Sequence, residues 1–162
     1  MICRCGETDL PALCEVINDA AQAYKDVIPA DRWHEPYMPL DELRREIVDG
    51  VEFWGEVVDG ELRGVMGIQP RGEVDLIRHA YVRTHARRQG VGTRLLAHLM
   101  RTTQKPLLIG TWADARWAVR FYEKNGFRLL SREATEGVLR RFWNIPERQV
   151  ETSVVLASPQ WI

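Results

Sequence analysis

No apolar run in the 162 residues approaches the roughly 20 that span a bilayer, so no membrane partner is expected. The opening MICRCGETDL has neither a long apolar core nor a cleavage pattern and does not read as a secretory signal. Cysteine is scarce and odd in number: Cys3, Cys5 and Cys14 lack the fourth ligand and second pair that zinc needs, so no metal is expected. Reduced, partly buried thiols in a cytoplasm account for them. The basic residues come without an aromatic stacking series, which argues against nucleic acid. No glycine-rich turn ends in the Gly-Lys-Ser/Thr of a P-loop. No repeat, linker or low-complexity tract divides the chain, so residues 1–162 are expected to form one domain.

What is present is an ordinary globular composition, 45% hydrophobic and 28% charged, with an uneven charge distribution. The net charge of −1 conceals five basic and fourteen acidic side chains in residues 1–60, a local charge of −9. The remaining 17 basic and 9 acidic residues give 61–162 a charge of +8. One half suits cations and the other anions.

Periodicity orders the elements. A short strand at Ile2 to Cys5 precedes a helix with Leu10, Leu13, Ile17, Ala20 and Tyr24 on its apolar face. The proline-spaced stretch VIPADRWHEPYMPL leads to a short helix from Asp41 to Gly50. Asp59-Gly60 joins two strands, Glu52 to Val58 and Glu61 to Gln69, as a hairpin. A strand at Glu73 to Val82, a helix at Val91 to Gln104 and a strand at Leu107 to Thr111 come next. The pattern then predicts a helix from Asp114 to Asn125, a strand from Phe127 to Arg132, and an irregular or partly helical 133–150. Thr152 to Ala157 closes as a strand. This is an α/β chain with antiparallel hairpins and a later βαβ portion.

Arg87-Arg88-Gln89-Gly90-Val91-Gly92 stands where the third helix begins. A helix start offers unpaired N–H groups and the positive end of the dipole, glycine lets backbone approach a ligand, and arginine adds charge. A phosphate site fits this turn. A glycine-containing loop with a solvated basic face fits it equally well.

Arg87-x-x-Gly90-x-Gly92 in that element order resembles the GCN5-related N-acetyltransferase (GNAT) superfamily, whose pyrophosphate-binding pattern is Gln/Arg-x-x-Gly-x-Gly/Ala after a valine-ended strand. Here the strand ends at Val82, five positions before Arg87. A second block, ARWAVRFYEKNGFR, resembles the family through Ala118, Phe121, Tyr122, Glu123, Lys124, Gly126 and Phe127. The resemblance covers about residues 2–132. It implies a central mixed, mostly antiparallel sheet of six to seven strands flanked by about four helices. It also implies transfer of an acetyl group from acetyl-coenzyme A to the amine of a small molecule or peptide in a ternary complex. On this resemblance the backbone near Ala80, Tyr81 and Val82 meets the pantetheine and thioester. The amides of Arg88, Gln89, Gly90, Val91, Gly92 and Thr93 hold the pyrophosphate, assisted by the Arg87 and Arg88 side chains. Tyr122 stands near the leaving sulfur as proton or hydrogen-bond donor.

Two positions depart from the family. Ala115 stands where relatives often carry a cofactor-holding asparagine, leaving that contact to Asp114 or Arg116 or missing. The strand positions where relatives carry a base hold Arg78 and Leu76. His79 and Asp75 should face away if the strand alternates regularly, unless a bulge intervenes. The missing strand base favours the alternative of a catalytically silent acyl-coenzyme A-binding or sensor module. The resemblance implies that the first two helices and their connection cover the acceptor, with Trp33, His34, Glu35, Tyr37 and Arg78 as substrate candidates; loop aromatics that only anchor the loop are the competing account. An edge strand near the C-terminus leaves a homodimer open.

Overall fold

The computed structural model describes all 162 residues. Seven strands form one sheet: β1 (Ile2–Arg4), β2 (Glu52–Val58), β3 (Glu61–Arg71), β4 (Val74–Val82), β5 (Leu107–Trp112), β6 (Arg128–Leu129) and β7 (Ser153–Ala157). Their order across the sheet is β1-β2-β3-β4-β5-β7-β6, antiparallel everywhere except between β4 and β5. Asp59 and Gly60 both take positive φ, 52° and 78°, as the tight turn between β2 and β3 requires.

Helices α1 (Leu10–Ala21), α2 (Leu40–Val48), α3 (Val91–Thr102), α4 (Arg116–Lys124), α5 (Arg132–Phe142) and α6 (Glu147–Thr152) cover both faces. α1 and α2 bury Leu10, Leu13, Ile17 and Leu43 against Phe53, Leu62 and Val65. α5 and α6 bury Val138, Leu139, Phe142 and Val150 against Leu76, Leu108 and Val155. The opposite face packs Leu95, Leu96 and Leu99 of α3, and Ala118 and Tyr122 of α4, onto Ile77, Leu107, Ile109 and Leu156. No helix is long and apolar enough to cross a membrane.

The mixed sheet is as expected, but the helices number six rather than four. The expected strand over 127–132 shrinks to Arg128–Leu129, because Ser131 caps a new helix by accepting from the Ala134 N–H at 3.1 Å. Residues 133–150 are therefore largely helical, with Thr135, Val138, Leu139 and Phe142 on the buried stripe.

Two irregularities shape the centre of the sheet. β4 and β5 pair only from Asp75–Leu107 to Ile77–Ile109. Beyond that point β4 stays with β3 while β5 stays with β7, and the two strands part. In the same place β4 bulges, since Gly67 is opposite Arg78 but Val65 is opposite Tyr81. His79 takes φ of +53° inside the bulge, a conformation uncommon for a residue with a side chain.

Gly67 is what the bulge closes over: a Cβ there would lie 2.7 Å from Val51 Cγ1 and 2.8 Å from the Arg78 carbonyl oxygen. Gly67→Ala should therefore displace the bulged strand and destabilise the fold by about 1–3 kcal/mol, the usual range for overpacking. A urea midpoint equal to wild type would show that the bulge tolerates the methyl group.

Candidate active site

At the start of α3, Gly90 takes φ of +79°, the left-handed conformation that favours glycine. The first amide of α3 with a backbone partner is that of Arg94, which donates to the Gly90 carbonyl at 3.0 Å. The amides of Val91, Gly92 and Thr93 are left without intrahelical acceptors. The turn is braced from outside. Arg94 donates to the Gln89 carbonyl at 2.9 Å and to Glu56 at 2.5 and 2.9 Å, and the Thr84 N–H donates to Asp19 at 2.7 Å. Gly92 serves packing instead, since a Cβ there would press on the Phe121 ring at 3.3 Å.

A cavity of about 470 Å³ runs from this turn along the end of β4 that has parted from β5, with residues of α1 and α4 completing its walls. Ala80, Tyr81, Val82, Arg87, Arg88, Gly90, Val91, Gly92 and Thr93 all line it. Gln89 does not, because its side-chain amide turns back to the His85 carbonyl at 3.3 Å. Neither Asp114 nor Arg116 lines this cavity. Trp117, which carries no signal in the sequence, lines the cavity and packs on Tyr24 with ring centres 5.1 Å apart.

A second cavity of about 120 Å³ lies in the gap between the parted strands, between Ile77 to Tyr81 of β4 and Ile109 to Trp112 of β5, with Leu139 of α5 in its wall. Its walls come from the bulge, from Gly110 to Trp112, from Tyr37 and from the α5–α6 connection. The two cavities share four residues, Tyr24, Ala80, Tyr81 and Tyr122. Burial pushes the Tyr122 and Tyr81 hydroxyls well above the ordinary tyrosine range and lifts Tyr24 to about 12. All three stay protonated, as hydrogen-bond donors, at any physiological pH.

The bulge overturns the expectation from regular alternation. Arg78 and His79 both line the smaller cavity, and His79 stacks on Phe53 with centres 5.9 Å apart. Its Nε2 lies 3.4 Å from Glu46 Oε1, close enough for attraction but without a hydrogen bond. Arg78 donates to Gln69 at 2.8 Å and to the same Glu46 carboxylate at 3.3 Å. Burial works to raise the Glu46 pKa, yet His79, Arg78 and Arg71 outweigh it and hold Glu46 below the usual range. Glu46 does not stand out in the sequence, where it is one of many acidic residues on a solvated-looking helix.

Of the acceptor candidates, the structure brings Tyr37 and Arg78 to the cavity wall. Trp33 and His34 instead stack on Tyr37 at 5.6 and 6.3 Å and support it from outside. Glu35 is half-exposed and faces Lys25 at 3.5 Å.

A model of the acetyltransferase (GNAT) domain matches residues 49–129, half of the chain. The chain belongs to the GNAT acetyltransferase family. No protein of curated function matches the chain in sequence. The GNAT fold recurs in solved structures. A GNAT acetyltransferase from Staphylococcus aureus Mu50 is similar at 16% identity and TM-score 0.74, covering 98% of this chain and 97% of that one. The PaiA N-acetyltransferase of Thermoplasma acidophilum, in complex with coenzyme A, is similar at 17% identity and TM-score 0.71, over 98% and 97%. A ribosomal-protein-alanine N-acetyltransferase from Brucella melitensis shares 25% identity at TM-score 0.63, over 81% and 86%. At one end of the larger cavity, amides without intrahelical acceptors and the Arg87 and Arg88 side chains make a setting suited to an anion such as a pyrophosphate, and mostly apolar side chains lead from there to Tyr122.

Gly90→Glu should abolish measurable acetyl-coenzyme A binding by calorimetry, through bulk and repulsion at the phosphates. Gly90→Asn, which tolerates the left-handed backbone but brings a Cβ within 2.7 Å of the Arg94 guanidinium, should weaken it less than the glutamate does. Full affinity in a correctly folded Gly90→Glu protein would place the pyrophosphate elsewhere.

Proposed function

We propose that this GNAT chain transfers the acetyl group of acetyl-coenzyme A to a primary amine by direct attack. The amine sits in the smaller cavity and the thioester at the end of the larger one. The meeting of the two cavities at Tyr24, Ala80, Tyr81 and Tyr122 carries this reading. Molecules entering from either side come together there, and holding two reactants in attacking geometry removes much of the entropic barrier.

The amine nitrogen attacks the thioester carbonyl carbon, the carbon–sulfur bond breaks, and the nitrogen loses a proton. Past Ile77 the edge of β4 has no strand neighbour on the β5 side, so its backbone polar groups face the opening. N–H groups around Ala80 to Val82 are suited to the oxygen that gains negative charge. Tyr122 serves the leaving sulfur. An ordinary thiol has a pKa of about 8.5, below that of a tyrosine whose hydroxyl is raised by burial. Full proton transfer from Tyr122 is therefore uphill, and its contribution is a hydrogen bond that strengthens as thiolate develops.

His79 is the group on the acceptor side able to take the amine proton. The bulge turns it into the cavity, with Glu46 3.4 Å behind it. Its presence weakens the reading of a silent binding module.

Tyr122→Phe should lower kcat while leaving acetyl-coenzyme A affinity nearly unchanged, because the lost interaction belongs to the transition state. His79→Gln should cost about 10²–10⁴ in kcat near neutrality and recover part of it as pH rises and more of the amine is already free. Rates for both variants equal to wild type, with chemistry shown to be limiting, would remove Tyr122 and His79 from the mechanism.

A further inference from the structure

The family match ends at residue 129, but the smaller cavity is finished by the C-terminal helices beyond it. Leu139 of α5, Trp143 and Ile145 of the connection, and Gln149 of α6 form its outer wall. Trp143 lies against Gly110 of β5 so closely that a Cβ at 110 would come within 3.3 Å of the indole Cζ2. Arg148 of α6 reaches Asp31 at 3.3 Å, tying this wall to the loop that carries Tyr37. The sequence shows no motif in this segment, and the reaction itself makes no use of it. Its evident work is to bound the acceptor.

The composition of that boundary is selective. No aspartate or glutamate lines the cavity, and the carboxylate of Glu46 behind its wall is engaged by Arg78 and His79. Asp31 and Glu35, whose charge alone would suit a cationic acceptor, are spent on Arg148 and Lys25 at the surface. A second ammonium group entering here would lose water beside the Arg78 guanidinium and meet no counter-charge. The aromatic faces of Tyr37, Tyr81, Trp112 and Trp143 offer cation–π attraction, but Arg78 opposes it. Size points the same way. A cavity of about 120 Å³ is comparable to the engineered apolar cavity of about 150 Å³ that accommodates benzene. Hydroxyls of the tyrosines, Thr111 and Ser153 remain to hydrogen-bond a ring substituent.

We propose that the acceptor is a compact primary amine on a flat, ring-bearing body with no second positive charge, and that Trp143 sets this preference. This rests on the transferase reading above, and the experiment separates the two. Thiol release at saturating acetyl-coenzyme A would be measured with tyramine, phenethylamine, putrescine and spermidine. Binding of tyramine and spermidine to coenzyme A-loaded protein would be followed by calorimetry. The aryl amines should exceed the polyamines in kcat/KM by about tenfold or more. Trp143→Ala should lower kcat/KM for the aryl amines by about tenfold, mainly through KM, and leave the polyamines little changed. Trp143→Phe, which keeps a flat ring and safeguards against a folding defect, should retain most of the preference. Acetyl-coenzyme A affinity should be unaltered in both. Preference for spermidine, or a Trp143→Ala loss equal for every amine, would overturn the proposal. Tyramine binding without acetyl transfer would support this acceptor class while overturning the reaction.

Discussion

The parting of β4 and β5 after Ile77 is the constraint on which the rest of the molecule depends. A parallel pair that stayed in register would bury its backbone groups in a ladder and leave no passage through the sheet. Here β4 keeps β3 and β5 keeps β7, so each strand retains one neighbour and the opening costs only the bonds between them. α3 and α4 support one side of the opening, and α1, α2, α5 and α6 the other. The bulge at His79 adds a turn of the side chains without which Tyr81 would face the other way. The two cavities thus meet at the opening in the sheet, walled by side chains that the cores on both faces hold in place.

Electrostatics in the folded molecule differs from that in the linear chain. The acidic first half and basic second half interleave: Glu56 with Arg94, Glu46 with Arg78, Asp49 with Arg71, Glu15 with Arg83 and Asp31 with Arg148. An exposed pair such as Asp31 with Arg148 is worth about 0–1 kcal/mol, whereas Glu56 is buried and Glu46 and Arg78 are mostly so. These pairs bring acidic side chains of the first half against basic ones of the second, so the charge split of the linear chain is interleaved in the fold. Arg87 and Arg88, by contrast, stay at the mouth of the larger cavity without a carboxylate partner.

Much of this was legible in the residues. The hairpin at Asp59-Gly60, the glycine turn before α3 and the block around Tyr122 each carry a local chemical reason to be what they are. The face of His79 was not legible, because a bulge depends on the close approach of Gly67 from another strand, and alternation alone gives the opposite answer. Helix α5 is only partly legible: Ser131 is an N-cap residue and Thr135, Val138, Leu139 and Phe142 keep helical spacing, but the strand pattern running to Arg132 overlaps its start. Glu46 could be recognised only in three dimensions, where His79, Arg78 and Arg71 converge on it.

If acetyl-coenzyme A lies along the α3 turn and enters the gap between the parted strands, coenzyme A should protect the backbone at both places. Amide hydrogen exchange with and without coenzyme A measures this directly. Slower exchange is expected at residues 88–93 and at 80–82, with little change at Leu107 to Ile109, which are already held in the β4–β5 ladder. Coenzyme A binding that left both 80–82 and 88–93 exchanging as in the free protein would contradict this placement.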